Sequence, residues 1–217
     1  MIAETANYLS IVDQMPADTV VIFHNSTWED YEELLAHVGE ASGLHVSFND
    51  GTLKVMTVSS GHEKYVRFID SLISSLRLRL RINILSHGSA TMKRKANKGN
   101  EPDASFYVQS AAAIGNRIDV DPAVDPPDVV VEVDIHHDSR DNYPIYAAFG
   151  VPEIWRYDGH EMTILQLQRD GYVSAETSRA LPMLTSGVLT EYLRRMTEEG
   201  EFKAIIAFDE WLQSLPR

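Results

Sequence analysis

The 217-residue sequence contains no cysteine, which excludes disulfide bonds, thiolate metal sites and a cysteine nucleophile. It also has no apolar run long enough to span a membrane, and its start, MIAETANYLS, lacks the basic and then apolar order of a signal peptide. We therefore expect a cytoplasmic protein with no membrane partner. Hydrophobic residues make up 44% and charged residues 24% of the chain, which is typical of soluble globular proteins, and the length suits one domain of residues 1–217.

One segment lacks acidic residues. The formal net charge of -13 argues against a protein that binds nucleic acid over its whole surface, because an acidic surface repels the phosphate backbone. Residues 71–100, however, contain no Asp or Glu. The positive charges of this basic segment are those of Arg77, Arg79, Arg81, Lys93, Arg94, Lys95 and Lys98. Either the basic segment meets a local anionic partner, or it pairs with the protein's own acidic surface.

The most informative stretch lies between Pro126 and Trp155. Its first part, residues 128–135, has the sequence DVVVEVDI, whose β-branched residues predict a strand buried on both faces. Glu132 and Asp134 are two residues apart, so both carboxylates lie on one face of this strand. Buried ionised carboxylates are costly unless a cation compensates them. Either the strand ends near Glu132 and the acids are solvated, or they hold a divalent metal ion.

Local patterns elsewhere predict an α/β protein: a mixed β-sheet flanked by α-helices, with an N-terminal helix and hairpin and with C-terminal helices. A capping box at Ser26–Glu29 predicts the start of the first helix, and Asp50-Gly51 predicts the hairpin turn. A second helix is expected from about His62 to Leu78, followed by a strand, because residues 76–84 alternate strictly. Other strands are predicted at 20–23, 88–93, 101–108, 153–157, 162–168 and 172–176, a loop at 94–100, and other helices at 138–150, 188–196 and 202–215.

Short motifs along the chain resemble those of a known family. The two principal motifs are Glu101-Pro102-Asp103 and, about thirty residues later, Glu132-Val133-Asp134. The other motifs are Trp28–Glu32, Asp50–Met56, His62-Glu63, Gly88–Arg94, Gly99-Asn100, the remainder of Pro126–Ile135, and Tyr146–Trp155. In this order they resemble the Uma family of endonucleases, within the restriction-endonuclease-like PD-(D/E)XK superfamily. The resemblance covers roughly residues 26–170.

This resemblance implies a metal-dependent DNA endonuclease with the restriction-endonuclease-like fold. It places the metal-binding acids at Asp103 and Glu132, with Glu63 as an additional acid and Asp134 as an outer ligand. The implied cofactor is Mg²⁺ or Mn²⁺, because phosphodiester hydrolysis needs a cation that polarises the phosphate and lowers the pKa of the attacking water. Hard oxygen ligands suit such a cation.

The family pattern also includes a lysine that orients the water and stabilises the developing charge. In the superfamily this lysine lies two residues after the second acid, where this chain has Asp134. In the Uma branch it belongs to a D-x-x-x-K pattern, which here is Asp138-Ser-Arg-Asp-Asn142. Asn142 can hydrogen-bond water but carries no charge. Lys93 and Arg140 are candidate substitutes for the lysine.

Two functions therefore follow from the sequence. The first is a DNA endonuclease with Asn142 at the lysine position. The alternative is a nuclease fold that has lost catalysis and acts as a DNA-binding or protein-interaction module. The candidate contacts to phosphate or DNA are Arg77, Arg79, Arg81, Lys93, Arg94 and Arg140.

Two further features have simple interpretations. The helices at 187–215 are expected to cover the sheet or to support a homodimer, which would suit a nuclease that cuts two strands. We interpret His136-His137 as an ordinary pair at a strand end and not as a zinc site, because consecutive residues of a strand point to opposite faces.

Overall fold

The structure is a computed structural model that describes residues 10–16, 18–39, 43–57, 59–94 and 97–216. The first nine residues, and Lys95 of the basic segment, lie outside the described residues. The described strands are β1 (Val20–His24), β2 (Leu44–Asn49), β3 (Thr52–Thr57), β4 (Leu85–Ser86), β5 (Met92–Arg94), β6 (Lys98–Asn100), β7 (Ala104–Tyr107), β8 (Val129–Val133), β9 (Glu153–Tyr157), β10 (Met162–Gln168) and β11 (Gly171–Ala175). The described helices are α1 (Trp28–Val38), α2 (Ser60–Leu80), α3 (Ala111–Ile114), α4 (Tyr143–Phe149), α5 (Ser186–Glu199) and α6 (Glu201–Ser214). The predicted α/β class is confirmed.

Strands β1, β3, β2, β6 and β5 form, in that order, an antiparallel sheet, which we call the first sheet. The predicted hairpin of β2 and β3 is confirmed. Its turn residues Asp50 and Gly51 have positive φ angles of 45° and 89°, as a tight hairpin turn requires. α1 packs against one face of the first sheet through a core that includes Tyr31, Leu53 and Val55.

Strands β11, β10, β9, β8, β7 and β4 form the second sheet, in which β8 and β9 are parallel and the other neighbours are antiparallel. All of β8 is buried, which confirms the prediction of a strand covered on both faces. Val129, Val131 and Val133 join the core beneath α2, α5 and α6. Val130 packs with residues of α4 on the opposite face. Glu132 has the same parity as Val130 and therefore lies on the α4 face.

The prediction of a strand over residues 80–84 is wrong. α2 continues to Leu80, and the strand that follows is only β4. Leu and Arg are both strong helix formers, and the buried positions Ile69, Leu72 and Leu76 continue a helical spacing. Leu78, which made the pattern look alternating, is 75% exposed.

Three local boundaries also differ from the predictions. The capping box of α1 uses Thr27 and Asp30, one residue later than expected. The predicted loop at 94–100 contains β6, which pairs with β5. The predicted helix at 138–150 begins as a 3-10 turn at Arg140–Asn142, and Ser139 does not cap it with its side chain. The Ser139 hydroxyl instead donates to the Asp134 carboxylate at 3.1 Å.

The C-terminal helix α5 is longer than predicted, α6 has the predicted length and begins one residue earlier, and both cover the second sheet together with α2. Tyr192 of α5 packs its ring against Phe208 and Trp211 of α6. Leu78, Phe202 and Ile206 are large apolar side chains that stay exposed. None of the helices in the described ranges is both long enough and apolar enough to cross a membrane.

Candidate active site

A cleft of about 370 Å³, including open solvent, lies between the two sheets. The chain passes from the first sheet to the second through Glu101-Pro102-Asp103, which joins β6 to β7. The Glu101 carboxylate accepts hydrogen bonds from the Thr91 hydroxyl at 2.6 Å and from the backbone N–H of Val46 at 3.4 Å. The lining residues are His45, Ser47, Lys54, Met56, Asn100, Glu101, Glu132, Val133, Asp134, His137, Asp138, Ser139 and Asn142.

Asp103 and Glu132 lie on neighbouring segments of the second sheet. β7 and β8 are antiparallel with Ala104 opposite Val131, and Asp103, directly before β7, donates from its backbone N–H to the Val131 oxygen at 3.1 Å. The Asp103 carboxylate is fixed beside the end of β8, since Oδ2 accepts from the backbone N–H of Val133 at 2.6 Å. The fold therefore brings the two acids together.

The Asp103 side chain, which is 1% exposed, is buried between two histidines. His45 Nδ1 lies 3.2 Å from Oδ1, and His62 Nε2 lies 2.9 Å from Oδ2. Neither contact has hydrogen-bond geometry, and Oδ1 is a buried acceptor without a hydrogen-bond partner in the described part of the chain. Burial lowers the pKa of His62, but its direct contact with Asp103, and next the charges of Asp103, Glu63 and Asp134, together raise this pKa above the usual value.

Glu132 is buried, and both hydrogen bonds that it receives from described residues go to Oε1. They come from the Tyr146 hydroxyl and from Asn142 Nδ2, the latter at 3.3 Å. The Tyr146 oxygen in turn accepts from Asn100 Nδ2 at 2.5 Å, which links Glu132 to β6 of the first sheet. Burial, and next the charge of Asp103, hold the pKa of Glu132 well above its ordinary value. The two acids thus form a site where a second negative charge is unfavourable.

Asp134 lies at the same end of β8 but has partners of its own. Its Oδ2 accepts hydrogen bonds from Arg156 Nε and from the backbone N–H of Ser139 at 3.0 Å. Burial raises the pKa of Asp134, although the bonds from Ser139 and Arg156 act in the opposite direction. The Asp134 charge is therefore compensated by Arg156, unlike that of Glu132.

The donor set of this site fits a hard divalent cation bound through few protein ligands. Asp103 Oδ1 is a buried acceptor without a hydrogen bond among described residues, and Glu132 leaves Oε2 free of hydrogen bonds from them. Within the same residues, no group of three or more His, Cys, Asp or Glu side chains is arranged to hold a metal ion. Mg²⁺ commonly uses only one or two carboxylates and keeps several water ligands, so two acids are sufficient for it.

Comparison with known proteins shows the family to which the chain belongs. Residues 28–195 match the family model Uma2, described as "Putative restriction endonuclease". The chain belongs to the Uma2 family. The structure also resembles the crystal structure of a protein described as a putative nuclease belonging to DUF820 from Anabaena variabilis, with a TM-score of 0.51 and 12% sequence identity. The match covers 75% of this chain and 98% of that chain, and at such identity it shows the fold alone. No curated protein matches the chain.

The Uma2 resemblance led to an additional acid at Glu63, but this residue does not line the cleft. Its carboxylate, which is 47% exposed, pairs with Arg67 at 2.6 Å on the surface of α2. The preceding residue, His62, is the one that turns towards Asp103. Helix geometry therefore directs His62 of this motif towards Asp103 and Glu63 towards the surface.

Asn142, which stands at the lysine position of the Uma2 pattern, does reach the site through its contact with Glu132. Four other lining or contacting residues were not singled out from the sequence, namely His45, Lys54, Asn100 and Tyr146. Tyr146 begins one of the family motifs, and Lys54 and Asn100 lie within two others, residues 50–56 and 99–100, so these three had a usable signal. His45, Lys54 and Asn100 come from strands of the first sheet, and only the packing of the two sheets brings them near Glu132.

The basic residues predicted to contact phosphate are dispersed. Arg79 lies on α2 seventeen residues after His62, which corresponds to roughly 25 Å along a helix. Arg79 makes two hydrogen bonds to Asp209 on α6. Arg77 and Arg81 share that distant end of α2.

The other three candidate phosphate contacts lie nearer the first sheet or the cleft, and each interacts with another side chain. Lys93 pairs with Glu32 at 3.1 Å. Arg94 lies over the ring of Phe149, with 5.2 Å between its guanidinium carbon and the ring centroid. Arg140 pairs with the Asp138 carboxylate beside the cleft.

The two adjacent histidines occupy different surroundings. His136 Nε2 lies 4.0 Å from the Asp18 carboxylate and its side chain is 54% exposed. His137 lines the cleft.

Proposed function

We propose that this Uma2 chain is a metal-dependent DNA endonuclease that hydrolyses phosphodiester bonds, with Asp103 and Glu132 as the metal ligands. The observation that carries the proposal is the burial of these two carboxylates near each other, Glu132 on β8 and Asp103 directly before β7, bound to the backbone N–H of Val133. No Lys or Arg of the described residues pairs with either of them. Two neighbouring buried carboxylates cannot both ionise without a large cost in stability, and a bound cation would remove that cost. The descriptions of the Uma2 family and of the DUF820 protein as nucleases give independent support.

The residues around the two acids would prepare them for a metal ion. When bound, Mg²⁺ or Mn²⁺ would polarise the phosphate and lower the pKa of the attacking water. The backbone N–H of Val133 holds one Asp103 oxygen, so the other is directed away from it. Tyr146 and Asn142 hold Oε1 of Glu132 in the same way. Asp134, bound to Arg156, would orient the loop that carries Asn142 and would act as an outer acid.

The experiment is cleavage of supercoiled plasmid with Mg²⁺ or Mn²⁺. Asp103→Asn and Glu132→Gln should each abolish cleavage, whereas Asp170→Asn, on the exposed turn before β11, should cleave as the wild type does. Cleavage that survives in Asp103→Asn and Glu132→Gln would refute the proposed ligands.

A second candidate function is a nuclease fold without catalysis, acting as a DNA-binding or protein-interaction module. The observation that favours it is Asn142 in place of the expected lysine. It predicts no plasmid cleavage by the wild type together with retained DNA binding. It also predicts that Asn142→Lys gains cleavage, because this variant restores the family pattern.

DNA contacts through the basic segment can be tested separately. The variant with Arg77, Arg79 and Arg81 all replaced by Gln should bind DNA more weakly if that end of α2 meets phosphate. Each lost phosphate contact should lower the slope of log K against log salt by about 0.9. An unchanged slope would show that these residues serve only to pair with acids such as Asp209.

We also propose a homodimer, because two copies could cut both strands of a duplex. α5 and α6 leave Phe202 and Ile206 exposed, so these are the side chains to change. Light scattering should give twice the monomer mass for the wild type and the monomer mass for the double variant Phe202→Ser, Ile206→Ser. A monomeric wild type would refute the dimer.

A further inference from the structure

Lys54 faces the cleft because of the alternation of β3. Leu53 and Val55 are buried in the core beneath α1, so Lys54 and Met56 point to the other side of the first sheet. Ser47 lies opposite Lys54 on β2 and also lines the cleft. The first sheet therefore presents a lysine to the same space that Glu132 lines from the second sheet.

The ammonium group of Lys54 is held at the rim of the cleft. Nζ donates a hydrogen bond to the backbone oxygen of Asp138 at 3.0 Å. Asp138 belongs to the loop that leads from Asp134 to Asn142, so this bond ties the first sheet to the loop beside Glu132. A lysine has three N–H donors, and Asp138 takes one of them. Within the described residues no carboxylate pairs with Lys54, so two donors are available to a ligand.

The other cations near the cleft are already engaged. Arg156 is bound to Asp134, Arg140 to Asp138, and Lys98 to Asp50 at 2.9 Å. Of the described residues that line the cleft, Lys54 is the one that carries a permanent positive charge. Asn142, at the lysine position of the family pattern, is neutral. Among the described lining side chains, the permanent positive charge for an anionic substrate therefore comes from the first sheet.

We propose that Lys54 contacts the phosphate at which the chain cuts and stabilises its developing negative charge. This inference rests on the proposed endonuclease function. In the reaction a water oxygen forms a bond to phosphorus, the bond to one ester oxygen breaks, water releases a proton, and the leaving oxygen gains one. Lys54 exchanges no proton in this step. It donates hydrogen bonds to a non-bridging oxygen, where preorganised donors contribute most to rate.

The first test compares cleavage by Lys54→Ala, Lys54→Arg and a control, Lys203→Ala, which removes an exposed lysine of α6. Lys54→Ala should lower the rate about 10²–10³-fold, the range seen when one donor to a developing oxyanion is removed. Lys54→Arg keeps the charge and should recover part of the rate, and Lys203→Ala should leave it unchanged. Adding Asn142→Lys to Lys54→Ala should recover cleavage, because a lysine returns to the cleft from the other wall.

The second test does not depend on cleavage. In EDTA and in the Glu132→Gln background, adding Lys54→Ala should reduce the slope of log K against log salt for duplex DNA by about 0.9, as loss of one phosphate contact predicts. Stabilisation of the wild-type fold by Mn²⁺ should persist in Lys54→Ala, since Lys54 is not proposed as a metal ligand. Lys203→Ala should change neither quantity.

The outcomes separate the two proposals. If the wild type cleaves, Glu132→Gln does not, and Lys54→Ala cleaves at the wild-type rate, the role of Lys54 is refuted and the endonuclease function stands. If the wild type does not cleave but Asn142→Lys does, Lys54 does not supply the missing charge. If no variant cleaves, the endonuclease function fails, and the role of Lys54 fails with it.

Discussion

The hydroxyl of Tyr146 donates a hydrogen bond to Oε1 of Glu132, and both side chains are buried. Removing this hydroxyl in Tyr146→Phe leaves Oε1 with Asn142 alone and deprives Asn100 of its acceptor. We expect the variant to lose about 1–3 kcal/mol of unfolding free energy, the cost of an unsatisfied buried polar group. Urea unfolding measures this loss. Tyr172→Phe is a suitable comparison, because the Tyr172 hydroxyl donates to the backbone oxygen of Val151, away from the acids.

Replacing Glu132 by Gln should stabilise the metal-free protein at a pH above the raised pKa of Glu132, because there it removes a buried charge that lies beside Asp103. Each kcal/mol gained should raise the melting temperature by about 2–4 °C for a chain of this size. Mn²⁺ should raise the melting temperature of the wild type and have no effect on the variant. A lower melting temperature of Glu132→Gln without metal would contradict this account of the site.

The same Glu-to-Gln change on the neighbouring strand should have the opposite effect on stability and lower the free energy of unfolding. Glu153 of β9 is fully buried, but its carboxylate accepts hydrogen bonds from Trp155 Nε1, the Ser178 hydroxyl and the backbone N–H of Arg179, each at 2.6 Å. Glu153→Gln replaces an acceptor by an amide donor and should cost about 1–3 kcal/mol in urea unfolding. Equal effects at Glu132 and Glu153 would show that hydrogen bonding does not distinguish the two acids.

Asp70 of α2 provides a pH test away from the cleft. Partial burial raises its pKa, although the Ser86 hydroxyl and Arg67 act against this shift. A carboxyl whose pKa is raised on folding stabilises the protein below its unfolded pKa, and this contribution is lost as the pH rises through the folded pKa. Asp70→Asn should therefore match the wild type in acid and be more stable at neutral pH. Melting temperatures across this range would contradict the prediction if the difference were constant.

Gly99 of β6 lies in contact with Tyr31 of α1. A Cβ atom at Gly99 would be 2.3 Å from the Tyr31 hydroxyl oxygen and 2.5 Å from the ring. Gly99→Ala should therefore cost about 1–3 kcal/mol by overpacking, measured by thermal or urea unfolding. Gly61→Ala, in the first turn of α2, meets its nearest atom at 3.6 Å and should be neutral or stabilising.

The sequence was sufficient to predict the α/β class, the β2–β3 hairpin and the buried strand β8, because each follows from local periodicity or turn chemistry. The closeness of Asp103 and Glu132 was an implication of the family motifs, and it is consistent with the hydrogen bonds that join Asp103 to Val131 and Val133 on β8. The alternating pattern of residues 76–84 predicted a strand, but residues 76–80 belong to α2, because helix propensity and burial in the core beneath α2 favour the helix. His45 lies in no family motif, and Lys54 and Asn100 lie in motifs that do not show which of their residues face the cleft, because all three reach the site only through the packing of one sheet on the other.

The Glu101-Pro102-Asp103 connection has a mechanical consequence. Lys54 and Glu132 belong to separate sheets, so the width of the space between them changes whenever one sheet tilts relative to the other. The connection is short, and Glu101 anchors it to β2 and to Thr91, so such a tilt would pivot close to Asp103. A nucleic-acid strand bound in this space would contact both sheets. The segment about which the sheets tilt would then carry Asp103, one of the proposed ligands.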